Sequence, residues 1–447
     1  MAQAQTLGPG WLCTKTLNLQ NAQTTHGHTA RPLFNRASQR PTTNSQSMTQ
    51  HFLFLQGVCS PFFPRLATAL RRQGHAVTKA NFTVGDRVYW QQGQALNYRG
   101  SMENLPHFYQ QTYSSLGITD IVLFGDCRPI HRPAISLARS VGMRIHVFEE
   151  GYFRPHWITL EREGVNGNST MPRDPAWYRE QANQLPHYDN GQPFNTAFWK
   201  RAAYDVGYNF WAGLNPILHY GVRSHIPYSP LTEYLGYARR GLRLKYYAKD
   251  AKKSELALLA EKDLKPFFLL PLQLATDAQI VHHSQFASMA EAAHYVMQSF
   301  ALHAPSHTRL AIKIHPLDPG LVNYRRLTKA WARQLQIPDR VFFLESGNLP
   351  PLLTHTAGVI TVNSTVGASA ILHGKRTIAL GRAIYDMAGL TYQGELDHFW
   401  SADERPDLKL FKAFRNVVIH TCQLNGGFYC ARGIDLAIAA ALPRLQA

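Results

Sequence analysis

The segment Val359–Gly381, VITVNSTVGASAILHGKRTIALG, restricts the fold more than any other part of this 447-residue chain. Val359–Val362 is a β-branched run, Asn363-Ser364-Thr365 is a polar turn, and Val366–His373 is a small-residue helix that Gly374 stops. Thr377–Leu380 is apolar again, so the segment reads as strand, turn, helix and strand. A turn of this kind aims backbone N–H groups and the Ser364 and Thr365 hydroxyls outward at a helix N-terminus, where phosphate or carboxylate binds well. The same letters also fit an ordinary βαβ unit with a Ser/Thr cap.

The α/β rhythm recurs on both sides of this segment. His51–Leu55 is an apolar run entering the loop Gly57–Ser60, followed by a helix pattern over Phe63–Gln73 and a strand from His75 to Lys79. Asp120–Phe124 leads into Gly125-Asp-Cys-Arg-Pro-Ile-His-Arg, a helix over Ala134–Val141 and the strand Arg144–Phe148, which runs into Glu149-Glu150-Gly151. Later come a strand over Pro266–Leu270, a loop holding Gln273 and Asp277, and a helix over Met289–Leu302. A strand over Arg309–Ile314 ends in His315-Pro316, a helix covers Tyr324–Leu335, and Val341–Leu344 is a further strand. Strands alternating with helices imply parallel sheets, whose ligands bind at the carboxyl ends of the strands. The expected fold is therefore α/β, with two Rossmann-like domains facing a cleft in a GT-B-like plan, which also serves epimerases and binding proteins.

Five stretches follow from composition and pattern. Residues 1–47 lack any acidic residue and are too poor in apolar residues to fold alone, which implies a disordered tail or a start placed too far upstream of Met48. Residues 48–184 form an N-terminal Rossmann-like domain and 254–409 a second one. Between them, residues 185–253 are aromatic and basic, with ten Lys/Arg against four Asp/Glu. Residues 410–447 are a helical tail that packs back on the first domain.

The net charge of +17 favours anionic partners such as nucleic acid, anionic lipid or sugar nucleotides. No nucleic-acid-binding motif accompanies it, so nucleic acid is not an expected partner. The five scattered cysteines contain no CxxC pair and announce neither a disulfide framework nor a zinc site. No apolar run is long enough to span a membrane. DxD, HExxH, Walker A and GxGxxG are absent, which leaves no sequence call for a metal or a resident cofactor.

Side chains suited to chemistry lie at the expected strand ends. Glu149 and Glu150 can act as general base or as nucleophile toward an anomeric carbon. Arg154, with Arg128, His131 and Arg132 on the neighbouring loop, supplies cations to grip an acidic sugar. His315 can donate to a leaving phosphate and offset the charge that develops on it. Solvated loop acids and a structural strand-end histidine remain the plainer readings of the same residues.

GDCRPIHR at 125–132, FEEGYFRPHWITLE at 148–161, PLQLATDAQI at 271–280, KIHPLD at 313–318 and VNSTVGASAILHGKRTIALG at 362–381 together resemble the capsule polysaccharide biosynthesis/export proteins of KpsS/LipB type. The resemblance spans the chain from about Met48 onward. It implies a retaining, metal-independent β-Kdo glycosyltransferase of Gram-negative capsule synthesis. Such an enzyme moves Kdo from CMP-Kdo, its donor substrate, to a phosphatidylglycerol-type lipid and so begins the poly-Kdo linker. It implies CMP held in the second domain by Ser364–Gly367, including Thr365, with Asn363, His315, Lys313 and Gln273. Glu150 would attack the sugar, and Arg128 and Arg154 would hold its carboxylate. In related two-module enzymes the acidic motif reads Glu-Asp-Gly, so Glu150 stands where an Asp would stand. The implied location is cytoplasmic and peripheral at the inner membrane, beside other capsule synthesis and export components. A non-catalytic export scaffold, or a transferase for another acidic sugar nucleotide, is the alternative.

Overall fold

Continuous apolar runs such as FLF at 52–54, IVL at 121–123 and FFLLP at 267–271 lack the alternation of a half-exposed strand, because both faces of a central parallel strand are covered. A computed structural model describes residues 49–218, 230–260, 265–274 and 278–447 of the chain. The expected tail over 1–47 and Asp277 lie outside the described residues.

The first sheet contains β1 (His51–Phe54), β2 (Ala76–Asn81), β3 (Ala95–Asn97), β4 (Asp120–Phe124), β5 (Arg144–Glu150) and β6 (Trp157–Arg162). The second contains β7 (Phe267–Pro271), β8 (Arg309–Lys313), β9 (Val341–Leu344), β10 (Gly358–Thr361) and β11 (Arg376–Ala379). A last strand, β12 (Gln423–Asn425), returns to the first sheet. Their orders are β12-β6-β5-β4-β1-β2-β3 and β11-β10-β7-β8-β9. Every pairing is parallel except β5 with β6 and β6 with β12. These are the two Rossmann-like sheets of the expected α/β, GT-B-like fold.

The antiparallel additions change the reading of the acidic motif. Strand β5 does not stop at Phe148; it continues through Glu150, because Glu149 pairs with Thr159 and Glu150 with Ile158 across a hairpin at residues 151–156. Gly151 permits that hairpin, since a Cβ there would overlap the Trp157 carbonyl oxygen. Strand β12 pairs with the far side of β6 and brings Phe428 onto Phe62 and Phe124, with ring centroids 5.1 and 5.4 Å apart at nearly perpendicular angles. Each such edge-to-face pair adds about 0.5–1.5 kcal/mol beyond area burial. The chain's last segments are thus held in the first sheet's core.

The aromatic-basic stretch forms helices Phe198–Ala212 and Pro230–Leu259. Tyr208 of the first reaches inward, its hydroxyl 3.0 Å from Asp86, which accepts, and 2.9 Å from the donating Gln56 amide. Arg243 of the second donates to Glu345, just after β9, at 2.8 Å, and the helix is fastened to the loop after β8, where Arg240 donates to the Asp318 carbonyl and Tyr237 to the Leu317 carbonyl at 3.1 Å. That loop carries His315.

Candidate functional site

Strand geometry separates the two glutamates. Side chains alternate across a sheet, so Glu150 falls on the face of Phe148, beside Phe62 and Phe428, and Glu149 on the face of Val147. The Glu149 Oε1 accepts from the Glu150 backbone N–H at 2.9 Å, and its other oxygen approaches Gly125. Glu150 instead meets Arg201 of the Phe198–Ala212 helix, with Nη2 to Oε1 at 3.4 Å. The Arg201 guanidinium also lies over the Tyr429 ring, 4.9 Å from its centroid. One carboxylate therefore faces a cation supplied from a distant part of the chain, and the other supports the strand end.

On the second sheet, His315 is partly buried and its Nδ1 accepts from the Leu317 N–H at 3.1 Å. That bond leaves the proton of the neutral ring on Nε2. Burial, followed by the charges of Arg154, Lys313, Arg240 and Arg201, pushes the imidazole down to about 4. His315 is consequently a neutral hydrogen-bond donor near pH 7. The cations around it supply the positive field.

The Asn363–Thr365 turn is more self-contained than the sequence suggests. The Ser364 Oγ accepts from the Val366 N–H at 3.2 Å, and its carbonyl accepts from the Tyr385 hydroxyl at 2.5 Å and the Gly367 N–H at 2.9 Å. Ser364 is thus a helix cap, not an outward hydroxyl. Gly367 is buried, and a Cβ there would overlap the Tyr385 hydroxyl; its part is to admit that ring. Asn363 and Gln273 bond reciprocally, the Gln273 amide donating to the Asn363 Oδ1 at 2.9 Å and the Asn363 N–H to the Gln273 Oε1 at 3.2 Å. The open member is Thr365, which lines a cavity with Tyr152, Phe153, Arg154, Ser369 and Arg415. Arg154 is exposed, and Arg415 stacks over Phe153 and Tyr188 at 5.4 and 4.7 Å. Two cations from the first sheet's hairpin and the tail helix Leu408–Cys422 thereby meet the N-terminus of helix Thr365–Leu372. An anion fits that combination.

Four expected binding residues stand elsewhere. His131 is wholly buried with its Nδ1 2.6 Å from the Gly125 carbonyl, so it holds the loop after β4 and is not open to a ligand. Arg132 is exposed, on the side of Cys127 and His282. Lys313 is buried on the face of the Pro230–Leu259 helix, where burial and then Arg240 lower its affinity for a proton. Arg128 donates to the Gln56 Oε1 at 2.8 Å and the Gly57 carbonyl at 3.2 Å while lying over Phe124. Its guanidinium ties the loop after β4 to the loop after β1.

Comparison with known proteins agrees with this arrangement of motifs. Residues 119–429 match the family model described as capsule polysaccharide biosynthesis protein. The capsule polysaccharide export protein KpsS of Escherichia coli is 36% identical over 381 residues, covering 85% of this chain and 96% of that protein. The chain belongs to the capsule polysaccharide biosynthesis protein family. The capsule polysaccharide modification protein LipB of Neisseria meningitidis serogroup B is 35% identical over 396 residues, covering 86% of this chain and 93% of LipB. Among solved structures, the β-Kdo 2,7 transferase of Thermosulfurimonas dismutans KpsC aligns over 88% of this chain and 99% of its own at 13% identity, with a TM-score of 0.42.

Two cations of this capsule-family chain escaped sequence reasoning. Arg201 sits in an aromatic helix and Arg415 in the tail, and neither neighbours a strand-end motif. Their only sequence signal is a basic residue within an apolar helical pattern, which ordinarily means a solvated face.

Proposed function

We propose that this protein is a retaining β-Kdo glycosyltransferase that transfers Kdo from CMP-Kdo to a phosphatidylglycerol-type lipid and begins the poly-Kdo linker of a capsule. The family resemblance supplies the donor and acceptor. The observation that carries the chemistry is the Glu150–Arg201 pair at the carboxyl end of β5. A carboxylate that must approach an acidic sugar meets a like charge, and Arg201 is the cation placed to offset it. This gives Arg201 the grip on the Kdo carboxylate that the sequence assigned to Arg128 and Arg154.

In this reading the CMP phosphate lies by Thr365, between Arg154 and Arg415, where side-chain cations and a helix N-terminus neutralise it without a bridging metal. Glu150 attacks C2 of Kdo as the C2–O bond to phosphate breaks, and CMP leaves with the bonding electrons. The Nε2–H of His315 donates a hydrogen bond to the departing phosphate. The acceptor hydroxyl then attacks C2 from the side CMP vacated, its proton passes to the phosphate, and Glu150 is released. Two inversions retain the configuration.

The acceptor is a lipid, and the exposed rings fit a bilayer surface. Phe198, Trp199, Phe210 and Tyr246 are 68%, 65%, 68% and 79% exposed, with Arg239, Lys245 and Lys249 exposed nearby. Among the described residues no helix is long and apolar enough to cross a membrane. Interfacial anchoring by aromatics and cations needs no such helix.

The test is mass spectrometry of the protein incubated with CMP-Kdo and a short phosphatidylglycerol analogue. One added Kdo on the lipid and stoichiometric CMP are expected, with loss of both in Glu150→Gln. Near-normal transfer by Glu150→Gln would remove Glu150 from its role. Neither transfer nor CMP release by the wild type, with the polysaccharide bound, would favour the scaffold reading suggested by the export name of the E. coli relative. Activity confined to another acidic sugar nucleotide would correct the donor.

A further inference from the structure

Asp126 and Cys127 follow β4, and His283 ends the helix Ala278–His283 beside the second sheet. The Cys127 Sγ lies 3.3 Å from the Asp126 Oδ1 and 3.2 Å from the His283 Nε2, and one ligand atom from each residue falls within 4.8 Å of the others. Tetrahedral zinc with bonds of about 2.0–2.3 Å to O, N and S places neighbouring donors about 3.3–3.7 Å apart, the pairs that include sulfur at the upper end. The two observed separations fall just short of two edges of that tetrahedron, so a small outward shift of the side chains would admit the ion.

The hydrogen bonds around the cluster fix its donors in place. Asp126 is 5% exposed, and among the described residues it makes no ion pair. Its second oxygen is fixed by the Val165 N–H at 3.1 Å and the Asn168 amide at 3.0 Å, which leaves Oδ1 directed at the thiol. His283 is buried, with its Nε2 turned to the Cys127 Sγ. A buried carboxylate, the thiol beside it and a buried imidazole thus turn one O, one S and one N donor toward a common point.

We propose that Asp126, Cys127 and His283 form a binding site for a thiophilic divalent cation of the zinc type. The site joins the loop after β4 to the second half of the molecule and is separate from the Thr365 cavity assigned to the donor phosphate. On binding, the S–H bond of Cys127 breaks, its proton goes to solvent and the sulfur electron pair forms the metal–thiolate bond. The Asp126 Oδ1 and the His283 Nε2 contribute lone pairs, and water takes the fourth position. The ion's part is structural: it pins two loops across the interface.

The full-length wild-type protein is titrated with Co²⁺ and, separately, Zn²⁺. One Co²⁺ per chain is expected to give a near-ultraviolet thiolate-to-cobalt charge-transfer band and strong visible bands of a tetrahedral centre, both displaced by Zn²⁺. Cys127→Ser should lose the charge-transfer band although the other four cysteines remain. In parallel, alkylation of Cys127 in the wild type, followed by peptide mass spectrometry, should slow at least about tenfold with Zn²⁺, as expected for a metal-bound thiolate. No charge-transfer band in the wild type, an unchanged band in Cys127→Ser, or Zn²⁺-independent alkylation of Cys127 would overturn the site. The alkylation arm needs no variant, so a folding defect in Cys127→Ser leaves the proposal decidable.

Discussion

Replacing Arg201 by glutamine removes the cation facing Glu150 while keeping a polar side chain on the same helix. At the observed 3.4 Å, opposite unit charges attract by about 5 kcal/mol at an effective dielectric of 20. The Arg201 side chain is 41% exposed, so solvent screens much of that attraction. A charge-assisted hydrogen bond between Arg201 and a sugar carboxylate, with the donor covering the pair, contributes about 2 kcal/mol. Loss of about 2 kcal/mol in transition-state binding predicts a fall in kcat/KM of about thirtyfold. The assay is CMP release from CMP-Kdo with a phosphatidylglycerol analogue, run beside Arg201→Lys, which restores a positive charge and should recover part of the loss. Thermal unfolding should change little, because the Arg201 side chain is partly exposed and its ion pair is screened by solvent. Arg201→Gln retaining more than a third of wild-type kcat/KM would refute the reasoning, since no screening argument leaves the carboxylates together at so small a cost.

Three further outcomes follow from particular contacts. Gly367→Ala drives a Cβ into the Tyr385 hydroxyl and should destabilise the fold by about 1–3 kcal/mol, lowering the thermal midpoint by several degrees; an unchanged midpoint would show that Tyr385 yields without cost. The His315 ring should titrate near 4 by NMR in the free protein. Its folded value lies below the ordinary one, so its contribution to stability is complete above about 6.5 and erodes as pH falls toward 4; a ring titrating at 6 or higher would contradict the neutral-donor role. Charge reversal at Arg239, Lys245 and Lys249 should weaken flotation on vesicles containing anionic phosphatidylglycerol, at about 1 kcal/mol per basic residue near the surface. Arg240 and Arg243 must be left intact in that variant, because they hold Asp318 and Glu345; undiminished flotation would remove the membrane surface from the proposal.

Much of the fold is legible from local pattern. Strands β4 and β9 fall on the residues that periodicity marks, and the helices at 324–334 and 365–372 lie within a residue or two of expectation. Less legible are β6 and β12, short and antiparallel, since the alternation in WITLER does not reveal its partner. The side chains around the candidate site depend still more on partners. Ser364 reads as an outward hydroxyl until its Oγ is seen capping Val366, and His131 reads as a loop ligand until it is found against the Gly125 carbonyl.

By itself the sequence determined the α/β class, the strand-end motifs and the family, because hydrophobic period, turn chemistry and motif order are local properties written in consecutive residues. Only the tertiary structure decided which groups share a site. The hairpin register sets Glu150 and Glu149 on opposite faces, the helix at 198–212 carries Arg201 to Glu150, and the tail helix carries Arg415 to the Thr365 turn. Those meetings join residues separated by tens to hundreds of positions. They are fixed by how apolar faces pack across two sheets, which no local spacing records.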